Sequence, residues 1–352
     1  MSIFVYETKK EAKLYKDRLS YQLATGQFIE RSFKIFEEVY QKWLPAYEKT
    51  VERTTFSRTT DLFRLHILKA FGKKKIVDIT PLECQDCLND WSSRYKNNKQ
   101  LKSYTSQIFE FAINMNMIHD NPMSRLIMPK TCINRTYNFW TVKELEQFLA
   151  IVQQSEPFYH YVMFRLLAYS GMRKGELYAL TWNDIDFNEN IISITKILAH
   201  LNNHPIKKAT KKQFSIRKIT MDLETMIVLK DWKHQQLKQL SQLECVPLDT
   251  ENYYCFTYVN QKNQVMPLHA DYINNILKKI IQNYRLRKIS PHGFRHTHAT
   301  LLNEIGSDSV NMANRLGYAS AKETLDTYSH ATPKSERNTI TKFAKYLNQQ
   351  NA

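Results

Sequence analysis

"SPHGFRHTHATLL", residues 290–302, holds three histidines and one arginine within seven positions. Ser290 suits a helix N-cap and Pro291 the first helical position. His292 and Arg295 then share one face of the first turn, and His292 and His296 are also stacked one turn apart. A helix start presents unpaired N–H groups and favours negative charge. Arg295 beside it disfavours a metal cation. The zinc-protease pattern needs a glutamate after the first histidine, where this chain has Gly293. The stretch therefore reads as an anion site and not a metal site. His296 and His298 read as structural, bonding the helix to its neighbours.

Two further stretches carry the same chemistry. In "AYSGMRKGELYALTWNDI", residues 168–185, Arg173 follows a Ser-Gly break and opens a new helix, with Glu176 three positions on. In "LGYASAKETLDTYSHAT", residues 316–332, Tyr328 ends a short helical pattern.

Composition favours a polyanionic partner. The 352 residues are long enough for two domains, and only seven are glycine, which favours a mostly helical chain. Fifty Lys+Arg against 34 Asp+Glu give a net charge of +16. No acid occurs from Asn121 to Lys143, from Asn190 to Met221, or from Tyr272 to Asn303. Three separated basic windows predict a surface that wraps its partner, with salt-dependent affinity. The N-terminus lacks the uninterrupted apolar core of a signal peptide, and no apolar run approaches the ~18 residues of a membrane span. A soluble, cytoplasmic protein is expected. Five scattered cysteines, an odd number, fit reduced thiols. The Cys84–Cys87 pair lacks the second pair that zinc needs. No metal and no cofactor are expected.

Hydrophobic spacing predicts a charged helix over 8–24, then helices in 28–44, 54–70, 81–95 and 99–117. Residues 28–120 read as a compact helical domain, and 121–139, with Pro122 and Pro129, as a linker. A second domain spans 140–334. It opens on a helix with Thr141 as N-cap and Glu144 at the capping-box position. Further helices are expected over 157–180 (broken at Ser-Gly), 222–241, 270–284, 291–304, 308–316 and 320–327. "NIISITKI" and "FSIRKITM" alternate as paired strands around a lysine-rich tip. An amphipathic helix within 335–352 ends the chain. The fold class is mainly α with a small antiparallel β-sheet.

"SGMRKGEL", "HGFRHTHATLL" and "RLGYASAKETLDTYSH", in this order and spacing, resemble the motif boxes of the tyrosine recombinase (phage integrase) family. The resemblance covers about 140–335. It implies a mixed α/β catalytic domain after a helical, SAM-like core-binding domain. "ETKKEAKLYKDRL" resembles the end of the arm-binding domain of integrases from temperate phages and conjugative elements. On that reading residues 1–27 are a remnant and most of that small domain is missing.

The resemblance implies roles. Tyr328 attacks a DNA phosphodiester and forms a 3′-phosphotyrosyl bond. Arg173 and Arg295 hold the nonbridging oxygens, where two guanidiniums can replace a metal ion. His292 helps accept the phenol proton. "ATKKQFSIRKITM" resembles the family's Lys-Thr-Lys-x-Ser-x-Arg hairpin; counting back from Ser215 makes Lys211 the general acid, with Lys212 and Lys208 as alternatives. Tyr318 stands where the family usually has His or Trp, so it can hydrogen-bond the phosphate but cannot serve as an imidazolium. Glu176 orients Arg173 or the helix start. The partners implied are double-stranded DNA attachment sites, a homotetramer on DNA joined through the terminal helix, and an accessory DNA-bending or excision factor. Two other readings remain open: a type IB topoisomerase-like relaxing enzyme, and a DNA-binding repressor with reduced catalysis.

Overall fold

The computed structural model describes residues 8–24, 34–95, 97–129, 138–201, 204–209, 213–244, 253–262, 264–320 and 322. Tyr328, Lys211, Lys212 and the helices expected over 320–327 and 335–352 lie outside the described residues. The chain divides into two compact units, Met1–Asn134 and Arg135–Ala352.

The first unit is helical. It comprises α1 (Lys9–Ala24), α2 (Phe36–Glu48), α3 (Arg53–Leu62), α4 (Leu68–Phe71), α5 (Pro81–Arg94) and α6 (Asn98–Asn114). A π turn over Phe63–Ile67 joins α3 to α4, so the helix expected over 54–70 is continuous but widened at its centre. Phe63 and Ile67 are thereby both fully buried, packing with Phe36, Leu88, Ile108 and Phe109. Thr80 and Glu83 cap α5 reciprocally. Burial pushes the Cys84 and Cys87 thiols up to about 12, which keeps them protonated. Residues 121–128 pack on this unit. Asn121 donates to Glu110 Oε1 (2.6 Å) and Ser106 Oγ (2.7 Å), and Met123 is fully buried.

The second unit is built around α8 (Phe158–Ser170), buried on nearly every side, as its sequence FYHYVMFRLLAYS requires. Against it pack α7 (Val142–Ser155), α10 (Leu223–Gln242) and α12 (Pro291–Glu304). Thr141 and Glu144 form the expected capping box on α7. The remaining helices are α9 (Lys174–Ala179), α11 (Tyr272–Asn283) and α13 (Ser309–Leu316). Strands β1 (Ile185–Asp186), β2 (Ile191–Ile194) and β5 (Arg217–Thr220) form one antiparallel sheet, with Ile192 opposite Ile219 and Ile194 opposite Arg217. The pairing of the two alternating segments is as expected. The chain between them adds a second hairpin that the alternation pattern did not separate from β2: β3 (Lys196–Leu201) pairs with β4 (His204–Ala209). A further short hairpin joins β6 (Thr257–Val259) to β7 (Val265–Pro267).

Ser290 stands at the N-cap of α12, but its hydroxyl does not cap the helix. Instead Asn138 Nδ2 donates to Ser290 Oγ (2.9 Å) and Asn138 Oδ1 accepts from Ser290 N–H (2.8 Å). Trp140 N–H donates to Thr297 Oγ1 (2.9 Å), and Trp140 Nε1–H to the Arg287 carbonyl (2.9 Å). The first residues of the unit thus fasten the helix that carries His292 and Arg295. Gly293 makes room: a Cβ there would stand 2.8 Å from Asn138 Oδ1.

Candidate active site

Arg173, His292, Arg295 and Tyr318 come together from three places in the chain. Arg173 precedes α9, His292 and Arg295 lie on the first turn of α12, and Tyr318 follows α13. The guanidinium carbons of Arg295 and Arg173 lie 4.6 Å and 5.9 Å from the centre of the Tyr318 ring.

Arg295 is fully buried with no carboxylate bonded to it among the described residues. Its Nη1 donates to the Gly171 carbonyl (3.0 Å), Nη2 to the Leu316 carbonyl (2.5 Å) and Nε to Tyr318 Oη (3.4 Å). Burial, then the nearby charge of Arg173, pulls its pKa below the ordinary arginine value. An incoming anion would reverse that penalty. The carbonyl of Gly171 can reach Arg295 because α8 ends there with φ +65°. A side chain is excluded: a Cβ would stand 2.6 Å from His298 Cδ2.

Arg173 is more open, with its side chain 37% exposed. Its Nη1 donates to Glu176 Oε1 (3.0 Å) and its backbone N–H to Glu176 Oε2 (2.8 Å). Both expected roles of Glu176, orienting Arg173 and closing the helix start, are seen together. Arg217 adds a third partner, donating from Nη1 to Glu176 Oε1 (3.0 Å) and from Nη2 to Oε2 (2.8 Å). Burial alone would raise the Glu176 pKa. The bonds and charge of Arg217, then those of Arg173, outweigh it and hold the carboxylate below its usual range. Arg217 is not among the expected site residues; the signal for it is its place as the closing arginine of the Lys-Thr-Lys-x-Ser-x-Arg resemblance, in "SIR", where the chain returns to the sheet.

His298 has the structural part assigned to it: Nδ1–H donates to the Ala168 carbonyl (2.9 Å) and Nε2 accepts from Arg315 Nε (3.0 Å). Those bonds require the neutral ring, and burial followed by the Arg315 charge pushes its pKa down to about 4. The ring of His296 stands 4.7 Å from that of His292, edge to face. His292 is exposed at the surface. Partial desolvation by the surrounding protein, then the charges of His296, Arg295 and Arg173, pushes it down to about 4 as well. At neutral pH it is an uncharged imidazole able to accept a proton. A negative phosphate beside it would raise its affinity for that proton.

Lys208 lies in β4 opposite Ile197, within the second hairpin. Lys211 and Tyr328 belong to the undescribed residues, so the geometry above concerns the phosphate-holding half of the expected site.

Both imidazoles have folded-state pKa values below the ~6.5 of an unfolded chain, so the unfolded state binds more protons between about pH 4 and 6.5, and stability declines as pH falls through that window. Histidine NMR titration of the DNA-free protein should place His292 and His298 near 4. A His292 resonance titrating at the ordinary histidine value would contradict its desolvation beside His296 and the two guanidiniums.

The phage integrase family matches residues 138–335, and the N-terminal SAM-like domain of phage integrases matches residues 35–92. The ICEBs1 integrase of Bacillus subtilis (strain 168) is 24% identical over 347 residues, covering 97% of this chain and 92% of that protein. The transposase from transposon Tn916 of Enterococcus faecalis is 22% identical over 307 residues, covering 81% and 73%. The Tn1549 transposon integrase, solved in complex with a circular intermediate DNA, superposes with a TM-score of 0.73 at 20% identity, covering 88% of this chain and 99% of that one. A lambda integrase dimer bound to a core site superposes with a TM-score of 0.57 at 16% identity, covering 83% and 97%. At these identities the solved structures carry the fold. The family match carries more, because it spans over half of the 352 residues and includes every motif box: this chain belongs to the phage integrase family of tyrosine recombinases.

Proposed function

We propose that this recombinase integrates or excises a mobile element by cutting and rejoining duplex DNA at two attachment sites. The observation that carries this is the pair Arg173 and Arg295. Both face Tyr318, both are oriented by protein acceptors, and Arg295 is buried without a bonded carboxylate among the described residues. Such a pair fits a phosphorane, whose nonbridging oxygens carry extra negative charge.

Tyr328 is the nucleophile in this account. Its phenol, with an ordinary pKa near 10, is scarcely ionised at neutral pH, so His292 helps take the proton. Attack by its oxygen on phosphorus breaks the bond to the 5′ oxygen, which leaves with a proton from Lys211. The phosphotyrosyl ester stores the bond energy, and the 5′-hydroxyl of a second site displaces the tyrosine without ATP. Tyr318 contributes one hydrogen bond in place of the family's usual His or Trp. Four protomers on two sites exchange strands through a Holliday junction, coupled by the terminal helix in 335–352. The basic windows and net charge of +16 support tracking of the phosphate backbone. The names of the relatives, integrases and transposases of conjugative and phage elements, support a mobile element as the setting.

Two labelled attachment-site duplexes separate the readings. Strand exchange between them is expected. Relaxation of supercoiled DNA with no exchange would replace this account with a topoisomerase-like enzyme, and binding with no covalent step would replace it with a repressor.

The lysine assignment has its own test. Lys211→Ala should cleave a normal phosphodiester slowly and be rescued when the bridging 5′ oxygen is replaced by sulfur, since a thiolate leaves without a proton. Rescue of Lys212→Ala or Lys208→Ala instead would move the general acid to that residue.

A further inference from the structure

Three consecutive carbonyls at the C-terminus of α13 each accept from a different arginine. The Arg315 carbonyl takes Arg217 Nε (2.7 Å), the Leu316 carbonyl takes Arg295 Nη2 (2.5 Å), and the Gly317 carbonyl takes Arg173 Nη2 (3.4 Å). A helix C-terminus leaves such carbonyls unsatisfied within the helix and carries partial negative charge, so it suits cations. Two of these arginines belong to the phosphate site. The third, Arg217, lies on the strand that leads out of the lysine-bearing loop and has a side chain only 5% exposed. It cannot touch DNA in that position. Yet it uses every part of its fork: two nitrogens on Glu176, one on the Arg315 carbonyl, and Nη1 also on the Ser215 carbonyl (3.2 Å).

A fold-only account needs one cation for the buried Glu176, and lysine would suffice. The additional bonds tie three elements that a single charge would not align: the hairpin exit at Ser215, the start of α9 at Glu176, and the end of α13. Gly317 is shaped to this arrangement. Its φ is +68°, and a Cβ there would stand 3.1 Å from Arg217 Nη1.

We propose that Arg217 is a positioning residue for the cleavage step, which fixes Glu176 and the C-terminal carbonyls of α13 so that Arg173 and Arg295 are held together in the geometry that receives the phosphate. The inference rests on the functional reading above. Arg217 binds the Ser215 carbonyl, four positions after Lys211 in the sequence, and the Arg315 carbonyl, thirteen positions before Tyr328.

Arg217→Lys tests it. Lysine keeps one positive charge beside Glu176 but cannot supply the fork and the Arg315 bond together. Single-site DNA affinity should stay within about twofold. The first-order rate of covalent attachment at saturating DNA should fall on the order of 10–100-fold, the scale of a small misplacement of reacting groups. A second variant guards against misfolding: Glu176→Gln with Arg217→Met replaces the buried ion pair by neutral groups, while Arg173, the carboxylate's other partner, is 37% exposed and keeps its contact with water. It should fold and bind DNA, and show the same loss of rate. An attachment rate near that of the unchanged chain in either folded variant would overturn the proposal and leave Arg217 a partner of the fold alone. No attachment by the unchanged chain would instead count against the recombinase chemistry, which is a separate result.

Discussion

Everything at this site depends on holding several guanidiniums side by side. Like charges at such distances repel, and water cannot screen a group as enclosed as Arg295. The protein offsets the repulsion with one buried carboxylate, Glu176, and with the negative end of α13. Glu176 serves Arg173 and Arg217; the successive carbonyls of residues 315–317 serve Arg217, Arg295 and Arg173. The neutralisation is incomplete, since Arg295 hydrogen-bonds only dipoles and feels the Glu176 charge without a bond to it. A site left short of negative charge in this way favours an incoming anion.

The same constraint explains features remote from the chemistry. Gly171 must adopt a positive φ so that its carbonyl can face Arg295, and His298 fills the space where a side chain would be. His298 must then stay neutral to accept from Arg315, and Arg315 in turn bonds the Thr220 and Tyr169 carbonyls, joining β5, α8 and α13. The end of α8, strand β5 and the helix before Tyr318 are therefore parts of one polar lattice beneath the proposed phosphate site. Tyr318 fits that lattice through its ring, which both site arginines approach, as well as through its hydroxyl.

Local signals made much of this legible in the sequence. Thr141 with Glu144, the Ser-Gly break at 170–171 and the alternation in 190–197 and 214–221 each act within a few residues, and the structure has a capping box, a helix end and paired strands at those places. Two of the motif boxes place an arginine at a helix start, Arg173 before α9 and Arg295 in the first turn of α12. What stayed hidden depends on contacts distant in sequence. Nothing near Ser290 announces that its hydroxyl would accept from Asn138, 152 positions away, instead of capping its own helix. Nothing near Arg217 announces Glu176, 41 positions away. The π turn at Phe63–Ile67 was hidden for another reason: it follows from which side chains the core needs, and helical spacing alone reads straight through it.

The central claim is that two protein-held guanidiniums serve a tyrosine that becomes covalently joined to DNA. The most direct measurement is mass spectrometry of the protease-digested complex, formed on an attachment-site duplex in excess EDTA. The account predicts a peptide in which Tyr328 carries the 3′-phosphate of the cut strand, in undiminished yield without divalent ions. An adduct on another residue, or one that forms only after a divalent ion is restored, would contradict it.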